Sequence, residues 1–215
     1  MCFKRLTFAI LIITLCVATL PGQVPAETPV QFSWAVLTDT DKGLRPIDFS
    51  TPPTLANGTT IQFYIAQKPG TYIYIYLIDS ADNLEFLFPG EINYYNSVVP
   101  AERIFRIPAD TDRFELTPPG GQEKLYLLAS SIRLVRLEKL TAAFLENPKD
   151  PVRKASVINE LKKIRRRHSK LAQSTETSVP VAGTIRSRGV LFDSFEATKV
   201  DAPDFYSRIL RINHE

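Results

Sequence analysis

The sequence predicts a mainly β fold, an antiparallel β-sandwich or partly open barrel with a two-helix insertion before its last strands. Three observations carry that expectation. Short runs of β-branched, aromatic and aliphatic residues recur between Pro- and Gly-bearing turns, without the strand–helix alternation of a parallel sheet. One stretch, about 133–172, switches to helical spacing. No cysteine follows Cys16, so apolar burial rather than a disulfide must hold the domain, which is long enough for that.

The elements follow in order. Residues 32–37 (FSWAVL) alternate as a first strand, and 38–59 form a polar, Pro-rich connection that Pro46, Pro52 and Pro53 are expected to keep irregular. Residues 60–66 (TIQFYIA) make the next strand, and the Gln67-Lys68-Pro69-Gly70 turn leads to 71–78 (TYIYIYLI). That run is apolar on both faces, as a strand buried on both sides requires. The polar turn 79–83 (DSADN) makes a hairpin with 84–88 (LEFLF). Strands at 103–107 (RIFRI), 113–116 and 124–130 (KLYLLAS) follow, the last after the break at Pro118, Pro119, Gly120 and Gly121.

Leu134, Leu137, Thr141, Phe144 and Leu145 then fall at helical spacing up to Asn147-Pro148. Asp150 before Pro151 is a helix opening, an N-cap acid ahead of a proline at the first turn. Val157, Leu161, Ile164, His168 and Leu171 trace the apolar stripe of this second helix. A Ser/Thr-rich linker is expected at 173–178, and the chain finishes with β-like stretches at 181–185 and 205–212 (FYSRILRI).

Residues 1–26 carry the marks of a cleavable signal peptide, the alternative being an uncleaved N-terminal anchor. Lys4 and Arg5 precede fifteen uncharged residues, 6–20, too few to span a membrane, and Val24 and Ala26 suit a cut before Glu27. The expectation is an exported protein of the periplasm or cell envelope, with no transmembrane helix after cleavage and one domain over 27–215. Leu15 before Cys16 argues against a lipidated cysteine. Beyond residue 26 there are 24 basic and 23 acidic residues, a balance that does not point to nucleic acid.

The run 71–91 (TYIYIYLIDSADNLEFLFPGE), the strand ending at Ile107-Pro108 and the run 114–130 (FELTPPGGQEKLYLLAS) together resemble the bacterial domain-of-unknown-function family 4384. The matching positions include Tyr72, Tyr74, Asp79, Leu87, Phe88, Pro89, Gly121, Glu123, Leu125, Ala129 and Ser130, within about 60–132. Asn83 stands where the hairpin turn often has Gly, which Asn's tolerance of positive φ accommodates. The resemblance implies an exported or membrane-attached setting. It implies no activity, and it brings no catalytic residues.

No enzyme motif emerges from the residues. His168 and His214 are the only histidines, and no His/Cys/Asp/Glu spacing suits a metal or another cofactor. Asp79, Asp82 and Glu85 lack the rest of a calcium loop. Ser130 and Ser131 lack a nucleophile elbow. The expected role is a non-enzymatic, protein-binding module with an envelope protein as partner.

Two features are candidate binding surfaces. The loop tyrosines Tyr94 and Tyr95 (INYYN) suggest an exposed aromatic pair. The run Lys162, Lys163, Arg165, Arg166, Arg167 and Lys170 gives the segment 133–170 twelve basic residues against four acidic ones. The run suits either a solvated helix end, where cations offset the macrodipole, or a patch for an anionic lipid, glycan or acidic protein. Tyr72, Tyr74 and Tyr76 share one face of their strand. They are expected to be core, with hydroxyls at the sheet rim.

Overall fold

A computed structural model describes residues 29–41, 43–168, 174–181 and 194–215. The expected signal peptide, 1–26, lies outside them. The larger sheet runs β10 (Thr175–Val181), β11 (Phe195–Ala202), β1 (Val30–Thr40), β4 (Thr60–Gln67), β7 (Arg103–Ile107). In addition β2 (Gly43–Pro46) pairs with β1, and β8 (Phe114–Glu115) with β4. The second sheet runs β3 (Thr54–Leu55), β12 (Phe205–His214), β9 (Gly121–Ser130), β5 (Tyr72–Ile78), β6 (Leu84–Phe88). All described pairings are antiparallel except β3 with β12. Three helices complete the order: α1 (Tyr94–Ser97), α2 (Val135–Glu146) and α3 (Pro151–His168).

The two sheets face each other over a core to which Phe32, Trp34, Phe63, Ile65, Ile75 and Leu127 belong. The second sheet also buries its outer face. There Tyr74, Tyr76, Leu128 and Phe205 meet Leu137 and Phe144 of α2 and Val157 and Leu161 of α3. The architecture is therefore three layers, sheet on sheet on helix pair. This explains TYIYIYLI: Ile73 and Ile75 pack between the sheets while Tyr74 and Tyr76 pack under the helices. Each fully buried Val, Leu or Phe in these cores contributes roughly 1.5–3 kcal/mol.

The helix pair forms where the residue spacing places it. Asp150 Oδ1 accepts the Val152 and Arg153 N–H groups at 2.8 and 3.3 Å, capping α3 as expected. The tyrosine hydroxyls do not reach the sheet rim; they cross to α2. Tyr74 donates to Glu138 Oε1 at 2.7 Å. Thr141 gives its own hydroxyl proton to Leu137 O, so Tyr76 is the donor in its 2.9 Å bond to Thr141.

Four expectations are corrected. The connection 38–59 is partly ordered: β1 continues to Thr40, β2 folds back on it from Gly43, and Thr54 and Leu55 run beside the last strand. The expected linker 173–178 is largely strand β10, paired from Thr175 with β11. Strand β11 itself was not anticipated. Tyr95 is not exposed: at 5% accessibility it sits in the short helix α1, its hydroxyl accepting the Ile73 N–H and donating to Ile73 O, both at 3.0 Å. Strand β6 pairs with β5 only from Ile75 onward, so this hydroxyl takes the place of a missing strand partner.

Candidate functional site

A cleft of about 600 Å3 opens where the N-terminus of α2 meets the C-terminus of α3. Its floor is the end of β9 and the connection into α2. Ser131 N donates to Asp204 O at 2.9 Å, and Leu134 N to the Tyr74 hydroxyl at 3.1 Å, so the connection is tied to the sheet at both ends. No side chain caps α2 at Leu134. The partial positive charge of a helix N-terminus thus lies at the cleft.

Three arginines, Arg133, Arg136 and Arg167, and two carboxylates, Glu160 and Asp204, line it. Arg133 pairs with the buried Glu138 and also donates to Asn96 Oδ1 at 2.7 Å. The hydrogen bond to Glu138 holds the Arg133 guanidinium above its usual range. Arg136 donates to the buried Glu160 at 3.0 Å. Arg167 lines the cleft and joins no ion pair among the described residues. Lys163 lies one turn before Arg167 on the same side of the helix. Two apolar side chains share the rim, Ile132 at 70% exposure and Val135 at 44%. Exposed aliphatics beside arginine are the composition of a protein interface more than of a solvated helix end.

The expected binding residues separate here. Lys162, Lys163, Arg166 and Arg167 are exposed on α3. Arg165 is only half-exposed, its guanidinium carbon 6.0 Å from the Tyr126 ring centroid, and Lys170 lies outside the described residues. Tyr94 is half-buried and packs edge-on against Tyr95 at 5.1 Å. Ile132, Val135, Arg133 and Arg136 were not singled out from the sequence. Their signal was the abrupt apolar–basic alternation (SIRLVR) directly after a buried strand.

The cleft also brings Ser131, His168 and Asp204 together. His168 stacks on Phe205 with centroids 4.2 Å apart, and its Nδ1 is 3.6 Å from Asp204 Oδ2, beyond a hydrogen bond. Among the described residues no serine hydroxyl bonds to His168, so the nucleophile–base contact of acyl transfer is not formed. Among the described residues no group of three or more His, Cys, Asp or Glu could hold a metal, and no helix is long and apolar enough to cross a membrane.

Residues 54–133 match the family model of a domain of unknown function, DUF4384. The match begins at β3 and ends at Arg133, so it takes in β4 to β9 and α1 but stops before α2 and α3. No curated protein and no solved structure matches the chain.

Proposed function

We propose that this protein is an exported, non-enzymatic binding module of the cell envelope whose α2–α3 cleft docks an acidic segment of a partner protein. The observation that carries this is the pairing of Ile132 and Val135, exposed, with Arg167, which joins no ion pair among the described residues, on one rim. Desolvated aliphatics would supply affinity and the cations orientation and rate. The uncapped α2 N-terminus adds a third attraction for a carboxylate. The leader-like 1–26 supports the exported setting.

The test is capture from an envelope extract on immobilised wild-type protein and on two variants, Ile132→Ser with Val135→Ser, and Lys163→Gln with Arg167→Gln. A single protein held by the wild type at low and high salt, and lost with either variant, supports the proposal. Binding to phosphatidylglycerol vesicles or an anionic glycan that survives the aliphatic variant and vanishes at high salt would replace the protein partner with an anionic surface.

A further inference from the structure

At the opposite end of the sandwich the two sheets do not close. A slot of about 360 Å3 enters between β4 and β8 on one side and β5, β6 and β9 on the other. Its walls are the core itself: Phe63 and Phe114 face Leu77, Leu87 and Leu125. Such a volume is at the lower end of what small-molecule sites offer. Four carboxylates line it, from Asp79, Glu85, Glu115 and Glu123, and among the described residues no lysine or arginine does.

The slot is held in shape. Ser80 donates its hydroxyl to Pro119 O at 2.7 Å and its N–H to Glu123 Oε1 at 3.2 Å, joining the 79–83 turn to the Pro-Gly loop. Gly121, at φ 155°, brings its backbone so near that an added Cβ would lie 2.7 Å from Ser80 Cβ. Glu123 is 6% exposed, and His214 Nδ1 lies 3.4 Å from its Oε1. Oε2 of this buried carboxylate makes no hydrogen bond with the described residues although the side chain lines the slot. Asp79 spends its oxygens on Asn83, at 2.6 and 2.8 Å, whereas Glu85 and Glu115 have no hydrogen-bond partner among the described residues.

We infer that this slot binds an amphipathic organic cation, an ammonium or guanidinium group on a short apolar body. The body would enter between Phe114 and Leu77, and the cation would sit among Glu85, Glu115 and the free oxygen of Glu123. Partial burial, reinforced by the Asp79 and Glu123 carboxylates, pushes the Glu85 carboxyl above its ordinary value. A cation in the slot relieves that repulsion, and the open hydrocarbon walls select an amine that carries an apolar group.

The experiment titrates the intact protein with 3-phenylpropylamine and with its isosteric alcohol and carboxylic acid, read by chemical-shift changes and calorimetry. The amine is expected to saturate with shifts at Leu77, Leu87 and Phe114, at least about tenfold tighter than the alcohol, with the acid inert. The double variant Glu85→Gln, Glu115→Gln alters side chains that make no hydrogen bond among the described residues, so it should keep the wild-type unfolding temperature while losing that preference. Equal binding of amine and alcohol, absence of saturable amine binding, or an unchanged preference in the double variant each overturns the inference.

Discussion

Strand β9 has two different ends. At its start, Glu123 and Leu125 line an acidic slot that opens into the sandwich core; at its finish, Ser130 borders a basic cleft roofed by helices. Glu123 and Ser130 are seven steps apart in sequence, roughly 24 Å along a strand. A chain with a net charge of only +3 is thus strongly polarised along one strand. The ends also differ in construction. The basic end is tied by buried polar contacts, Tyr74 and Arg133 to Glu138 and Tyr76 to Thr141. The acidic end leaves apolar wall and carboxylate oxygen without a partner among the described residues. Charge alone does not make these two surfaces; how far each is satisfied internally does.

Breaking the ties of the basic end should have the largest effect. Glu138→Ala leaves the Tyr74 hydroxyl without its acceptor and Arg133 without its counter-ion, and should lower stability by about 2–3 kcal/mol in chemical denaturation. The acidic slot, at the other end of β9, should keep its amine binding. Gly121→Ala is the converse, straining the slot's loop at φ 155° against Ser80. It should lower stability by about 1–3 kcal/mol and weaken amine binding while sparing the basic cleft.

High pH sharpens the contrast. Burial pushes the Tyr74, Tyr76 and Tyr95 hydroxyls above the ordinary phenol value of 10.0, and Glu138 adds to this at all three. Raised folded values mean that their contribution is complete below pH 10 and is lost as pH rises beyond it, once the unfolded chain can ionise and the folded one cannot. All three lie on the helix-facing side of β5, so helical circular dichroism should fall above pH 10 before the strand signal does. Tyr76→Phe should shift that loss to higher pH. The smallest effect belongs to Lys163→Gln with Arg167→Gln: stability should stay within about 0.5 kcal/mol in thermal unfolding, with the loss confined to partner binding.

Much of the scaffold was legible before any coordinates. TYIYIYLI announced a strand buried on both faces, Asp150-Pro151 a helix start, and the Pro/Gly turns a sandwich rather than a parallel sheet. What escaped did so for physical reasons. TETSVPV forms the edge strand β10, mostly exposed, and its polar composition reads as linker. FEATKVDA buries Phe195, Ala197, Val200 and Ala202, but two of these are small and the alternation slips phase between Ala197 and Val200. Tyr95 looked like a loop contact because nothing local to INYYN reports that β5 lacks a partner beside Ile73.

The basic run on α3 was visible as charge, yet sequence could not tell which cations are spoken for. Arg165 packs on Tyr126, while Arg133, just before α2, answers to Glu138 on α2, and Arg136 on α2 answers to Glu160 on α3. The acidic slot was unreadable in principle. Asp79 and Glu85 lie on one hairpin, but Glu115 and Glu123 reach them only through pairing of β5 with β9 and the facing of two sheets.

The most direct test of the two-ended polarity is a pair of titrations on one isotopically labelled sample, first with an acidic, leucine-bearing peptide and then with 3-phenylpropylamine. Opposite charge at the two ends of β9 predicts that the peptide shifts Ile132, Val135 and Arg167, the amine shifts Leu77, Leu87 and Phe114, and neither displaces the other. Overlapping shifts, or competition between peptide and amine for one end, would contradict it.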